Sequence, residues 1–150
     1  MSQIANITVF DGADTPVSHT LKPVSVTRAN GVVEALWREN LPNVPMSGQV
    51  RASMRLEQLK SGVWRTEVKV VVPVMESVGG ANSAGYTAAP KVAYENTQTY
   101  VGYYADRSSY NDRKLAKQIL VNILNNVSTS VAAATSGPAP ELINDLVSPT

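Results

Sequence analysis

The 150 residues carry 13 Lys and Arg against 12 Asp and Glu, a formal charge of +1, so bulk charge selects neither a nucleic acid nor an acidic partner. Cysteine is absent, which excludes disulfides and thiolate metal sites, and the single histidine, His19, leaves no multi-histidine metal site or histidine-based catalysis within one chain. The length suits one domain, 1–150; no stretch reaches the apolar length of a membrane span and no signal-peptide layout opens the chain, so a soluble protein without a membrane partner is expected.

Residues 4–10 (IANITVF) are apolar and β-prone, and DGADTP after them is a turn cluster, so a hairpin is expected with residues 17–27 as its return strand. That strand runs to Asn30-Gly31, whose tolerance of positive φ suits a tight turn into VVEALWRE. Pro42 and Pro45 make the next segment a connector. In QVRASMRLEQ, residues 49–58, Val50, Ala52, Met54 and Leu56 alternate with Arg51, Ser53, Arg55 and Glu57, the period of a half-buried strand. Ser61-Gly62 turns it into VWRTEVKVVVPV, with Thr66, Val68, Val70 and Val72 on one face and Arg65, Glu67, Lys69 and Val71 on the other. ESVGGANSAGYTAAP, residues 76–90, is long for a hairpin loop, and loops of that length are usually functional or mobile. A last strand, KVAYENTQTYVGYY, precedes a change of period.

From Asn111 the apolar spacing becomes helical, with Leu115, Ile119, Ile123 and Val127 every four residues. Ser109 with Asp112 forms a capping box at its start. The small residues of VSTSVAAATSG suggest a second short helix, and Pro138 and Pro140 introduce a tail, PELINDLV, with room for a further helical turn or two. Strands followed by helices give an α+β domain: an N-terminal hairpin (1–30), a main antiparallel sheet of about five strands (31–106), two helices (107–137) covering one sheet face, and a tail (138–150). The other face is left to water or a ligand.

Arg51, Ser53 and Arg55, with Arg65, Glu67 and Lys69 on the hairpin partner, make a basic two-strand patch that suits single-stranded RNA, cations for phosphates and hydroxyl groups for bases. Solvated sheet faces also carry Lys and Arg opposite Glu for cross-strand stability alone, so periodicity leaves both readings open. Gly79-Gly80 with Gly85 lacks the lysine and spacing of a phosphate loop, and flexibility is the better reading. Trp37 and Trp64 are core or interface anchors. With no nucleophile beside His19 and no paired carboxylates in a motif, neither an enzyme nor a cofactor is expected.

RANGVVEALW (28–37), QVRASMR, Val72-Pro73, APKVAYEN (89–96) and TSVAAATSG, in this order, resemble the coat proteins of single-stranded RNA bacteriophages, the leviviruses, over residues 4–137. The resemblance implies an intertwined dimer whose two sheets join edge to edge and whose helices are exchanged. It implies an icosahedral shell, assembled in the bacterial cytoplasm, whose inner face binds genomic RNA. A hairpin of that RNA then serves translational repression, and the glycine-rich loop lies around the shell's symmetry axes. RNA contacts carried over by position fall on Val32, Arg51, Ser53, Arg55, Arg65, Glu67, Lys69, Tyr94 and Asn96, with Tyr94 stacking on a base. Glu67 stands where the family has a small hydroxyl residue, and Arg51 is larger than usual. The expected function is therefore a virion coat protein that binds itself and single-stranded RNA; the alternative is a dimeric RNA-binding protein that builds no shell. Independently of the resemblance, one amphipathic helix and a short companion cannot roof five strands, so a second copy is expected to cover the rest.

Overall fold

The computed structural model describes residues 4–77, 79–81 and 83–150; residues 1–3 of the expected hairpin and residues 78 and 82 of the expected loop lie outside the described residues. Six strands, β1 (Ile7–Phe10), β2 (Ser18–Ala29), β3 (Val32–Arg38), β4 (Arg51–Gln58), β5 (Trp64–Met75) and β6 (Val92–Tyr104), form one antiparallel meander in chain order. Two helices follow, α1 (Tyr110–Leu124) and α2 (Pro138–Asn144).

The expected hairpin and main sheet are continuous because β2 serves both. Its first residues pair with β1 (Ile7 with Leu21, Phe10 with Ser18), and the remainder pairs with β3. The ladder shifts between Pro23 and Ser25, where proline has no amide to donate and a bulge absorbs the mismatch. Asn30 and Gly31 both adopt positive φ, 52° and 78°, and make the tight turn from β2 to β3. The base of the long loop is closed by the Glu76 amide donating to the Lys91 carbonyl at 2.8 Å.

The core lies on one face of the sheet. Alternate residues of three neighbouring strands, Ala35 and Trp37, then Ala52, Met54 and Leu56, then Val68 and Val70, point to α2, whose Leu142 is fully buried among them. The Trp37 indole donates to the Ala5 carbonyl at 2.8 Å, so the aromatic ring fills the core and its one polar atom is satisfied. Burial of side chains such as Trp37 and Leu142 contributes about 1.5–3 kcal/mol each.

Helix α1 starts at the expected capping box. The Asp112 amide donates to Ser109 Oγ at 3.2 Å, and the Ser109 hydroxyl and amide donate to the Asp112 carboxylate at 2.8 and 3.0 Å, which holds that carboxyl below its ordinary range. The helix ends earlier than the apolar spacing through Val127 implies. Asn126 takes φ 50°, its amide donates to the Ile123 carbonyl and the Val127 amide to the Asn122 carbonyl, a C-terminal cap that asparagine tolerates. The second helix is also displaced from the expected 127–137 segment. That segment, rich in Ser, Thr and Val, is irregular, whereas Gly137 (φ 106°) followed by Pro138 at the first helical position starts α2 in the residues assigned to the tail. Beyond α2 the chain returns to its beginning, the Ile4 amide donating to the Thr150 carbonyl at 2.7 Å.

The sides of α1 are reversed from the simplest expectation. Its buried residues are Arg113 and Lys117: Arg113 Nε donates to the Asn144 carbonyl at 2.8 Å and Lys117 Nζ to the Ala134 carbonyl at 3.1 Å. Burial, and secondarily Lys114, holds the Lys117 ammonium below its ordinary pKa. The apolar stripe Leu115, Ile119 and Ile123 is 61, 51 and 69% exposed. An apolar groove of about 470 Å³ also stays open on the helix side of the sheet, floored by Ala52, Val68, Val70 and Val72 and walled by Phe10 and Ala139.

Candidate nucleic-acid interface

Antiparallel partners point to the same side of a sheet, so the register sorts the opposite face into rows. One row runs Val32, Glu57, Arg65, Tyr103; the next Glu34, Arg55, Glu67, Val101; the next Leu36, Ser53, Lys69, Thr99; and the last Lys22, Arg38, Arg51, Val71, Thr97. The structure thus brings together Val32, Arg51, Ser53, Arg55, Arg65, Glu67 and Lys69, as expected, and leaves their face without a helix over it. It adds Lys22, Arg38, Glu34 and, through its ion pair with Arg51, Glu95. The alternation Val32, Glu34, Leu36, Arg38 carried the signal for Glu34 and Arg38; Lys22 lay behind the β2 bulge, which no spacing rule reveals.

The rows differ in chemistry. Arg55 pairs with Glu57 at 3.0 Å, and Arg65 with Glu67 at 2.7 Å and Glu57 at 3.7 Å, so two arginines and two carboxylates are linked on one half of the face. Arg51 reaches Glu95 at 2.6 Å. Lys69 stands between two hydroxyl residues, Ser53 on β4 and Thr99 on β6, and among the described residues it has no carboxylate within ion-pair distance. An unpaired ammonium flanked by hydroxyl groups fits a phosphate oxygen. Partly exposed ion pairs contribute only about 0–1 kcal/mol each, so the paired arginines can exchange a carboxylate for a phosphate at small cost.

Tyr94 and Asn96 are not brought to this face. They pair with Val74 and Val72, the side shared with Val68 and Val70, while the residue between them, Glu95, is on the polar side with Arg51. The β5–β6 ladder runs without a shift from Tyr104 to Tyr94 and breaks only between Val74 and Met75, so no bulge returns the tyrosine to the cationic side. Both side chains are exposed, Tyr94 to 59%.

A model of the levivirus coat protein family matches residues 2–147. The chain belongs to that family. As a coat protein it is similar to the virus-like particle protein of bacteriophage EMS014, with 31% identity, 97% of this chain and 98% of that one covered, and a TM-score of 0.69. The virus-like particle protein of bacteriophage ESE058 (22% identity, 97% and 98% covered, TM-score 0.70) and the capsid protein of bacteriophage GA (19% identity, 95% and 95% covered, TM-score 0.59) share the fold. No curated protein sequence gives a significant match. Among the described residues no cluster of three His, Asp or Glu is arranged to hold a metal ion, and no helix is long and apolar enough to cross a membrane.

Proposed function

We propose that this coat protein pairs through β6 and α1 with a second copy, builds a closed icosahedral shell, and packages single-stranded RNA against the polar sheet face without catalysing a reaction. Assembly takes place in the bacterial host cytoplasm, and recognition of one RNA hairpin by the same face represses translation. Arg51, Arg55, Arg65 and Lys69 neutralise phosphates, Ser53 hydrogen-bonds, and Val32 gives an apolar contact at the rim. Glu67 competes with phosphate for Arg65.

The observation that carries this reading is the two-sidedness of a sheet only partly roofed by its own helices. One face is polar, cationic and helix-free. The other leaves an apolar groove open while α1 turns Leu115, Ile119 and Ile123 outward. Apolar surface of that extent is unusual on a monomer, and β6 is a sheet edge with unpaired backbone groups. A second copy, with β6 against β6 and its α1 laid over the open groove, satisfies both. Protein expressed in a bacterium and imaged by electron microscopy is expected as uniform spherical particles containing nuclease-protected RNA. Small soluble species alone, under varied salt and pH, would overturn the proposal.

A further inference from the structure

Lys22, Arg38 and Arg51 occupy directly opposed positions on β2, β3 and β4. Like charges placed opposite each other destabilise a sheet, and the end of this row toward Lys22 carries no compensating acid. Glu95 pairs with Arg51 alone; among the described residues neither Lys22 nor Arg38 has a carboxylate within ion-pair distance. The nearest acid in sequence, Glu39, is buried and engaged with His19.

Beside the row lies a cleft of about 590 Å³ lined by Leu36, Arg38, Met46, Ser47 and Arg51. Its rim is built rather than loose. The buried Gln49 side chain accepts from the Leu41 amide at 2.9 Å and donates to the carbonyls of Leu41 and Val44 at 3.0 and 2.9 Å, fixing the segment that presents Met46 and Ser47. Met46 is nevertheless 69% exposed, an apolar side chain lining the same cleft as the two arginines.

We propose that this corner is a second RNA site, outside the residues that resemblance assigns, which takes one nucleotide of single-stranded RNA. The phosphate sits on Lys22 and Arg38, the Ser47 hydroxyl hydrogen-bonds the sugar or base, and the base lies on Leu36 and Met46. The inference rests on the reading of the polar face as RNA-binding. From strand spacing of about 4.8 Å and a rise of about 3.4 Å per residue, Arg38, two strands and two residues away, lies on the order of 12 Å from Lys69, so one RNA strand crosses both.

The test titrates a fluorescent single-stranded oligonucleotide into disassembled protein across a salt series, for wild type, the double variant Lys22→Gln with Arg38→Gln, Met46→Ser and Lys69→Gln. The lost phosphate contact is expected to lower the salt slope of the double variant by about 0.7. Because the mutual repulsion is removed, its melting temperature without RNA is expected to rise, a change that cations serving the fold would not produce. Met46→Ser is expected to weaken oligonucleotide binding and leave inorganic polyphosphate binding unchanged. If Lys69→Gln weakens binding while the double variant matches wild type, the corner is refuted and the RNA-binding face stands. If wild type shows no salt-dependent RNA binding, that broader reading fails first. Loss of binding to polyglutamate but not to RNA would assign the corner to an acidic protein segment and overturn the proposal.

Discussion

Replacing Ile119 and Ile123 with serine tests whether α1 is completed by another chain. Both side chains are solvent-facing in the single chain, 51 and 69% exposed, and serine has nearly the helix propensity of isoleucine, so α1 and its contacts to α2 are expected to survive. Full burial of an isoleucine contributes about 1.5–3 kcal/mol, and with half to two thirds of each side chain still exposed, about 1–2 kcal/mol per residue remains to be gained on association. A symmetric dimer buries four such side chains, so the double variant is expected to lose about 4–8 kcal/mol, or roughly three to six decades in dimer Kd. Sedimentation equilibrium over a dilution series, with far-UV circular dichroism as the control for retained sheet, reads this directly. A double variant with the wild-type dimer constant would show that the stripe faces solvent in the assembled protein and would remove the main support for helix exchange.

Lys69→Ala is expected to weaken RNA binding more than Arg55→Ala, because Arg55 is already shared with Glu57 while Lys69 has no ion-pair partner among the described residues; filter binding ranks them, and thermal melts of both variants should stay within about 0.5 kcal/mol of wild type. Tyr94→Ala is expected to leave RNA-hairpin affinity unchanged, since its register turns it from the cationic face; a tenfold loss in the same assay would show that β6 changes register on binding. His19 lies 3.0 Å from Glu39 and 3.4 Å from Asp11 and couples the hairpin to the end of β3. Burial alone would lower its pKa, but hydrogen bonds to Glu39 and Asp11, reinforced by their charges, outweigh that and raise it. The stabilisation is therefore complete below the ordinary histidine pKa and lost as pH rises through the raised value, so the melting-temperature gap between wild type and His19→Gln should narrow from pH 6 to pH 8.5. Deleting residues 79–85 is expected to abolish particles in electron micrographs while sedimentation still shows dimers; intact shells would return the loop to a passive connector.

Much of the architecture was legible because local rules decide it. The period of two in residues 49–58 sorted Arg51, Ser53 and Arg55 from Ala52, Met54 and Leu56, and the pleat carried the same sorting to Lys69. Asn30-Gly31 and the Ser109–Asp112 cap marked boundaries through backbone chemistry that needs no partner. What failed to show depends on non-local geometry. The bulge at Pro23 inverts the parity of β2 and hid Lys22. Position-by-position resemblance does not transmit the β5–β6 register, which separates Tyr94 and Asn96 from the arginines. The stripe on α1 is legible as apolar, yet periodicity says only that a face must be covered, and here α2 rather than α1 packs an apolar side chain, Leu142, on the chain's own sheet and leaves part of it open.

The ion pairs on the polar face bear on how it exchanges partners. A bare row of arginines on a sheet would repel itself and destabilise the free protein, whereas Glu57 and Glu67 hold Arg55 and Arg65 in pairs of small net energy. In the proposed RNA complex, those pairs keep the arginines close to neutralised until phosphates take the place of the carboxylates. On the proposed reading, Lys22, Arg38 and Lys69, which among the described residues have no ion-pair partner, supply the standing positive potential that attracts a polyanion of any sequence. Long-range attraction and close contact are thereby assigned to different side chains on the same strands. Removing Glu67 should strengthen binding to all RNA while narrowing the difference between a preferred hairpin and an arbitrary strand, because the freed Arg65 contacts phosphate in either.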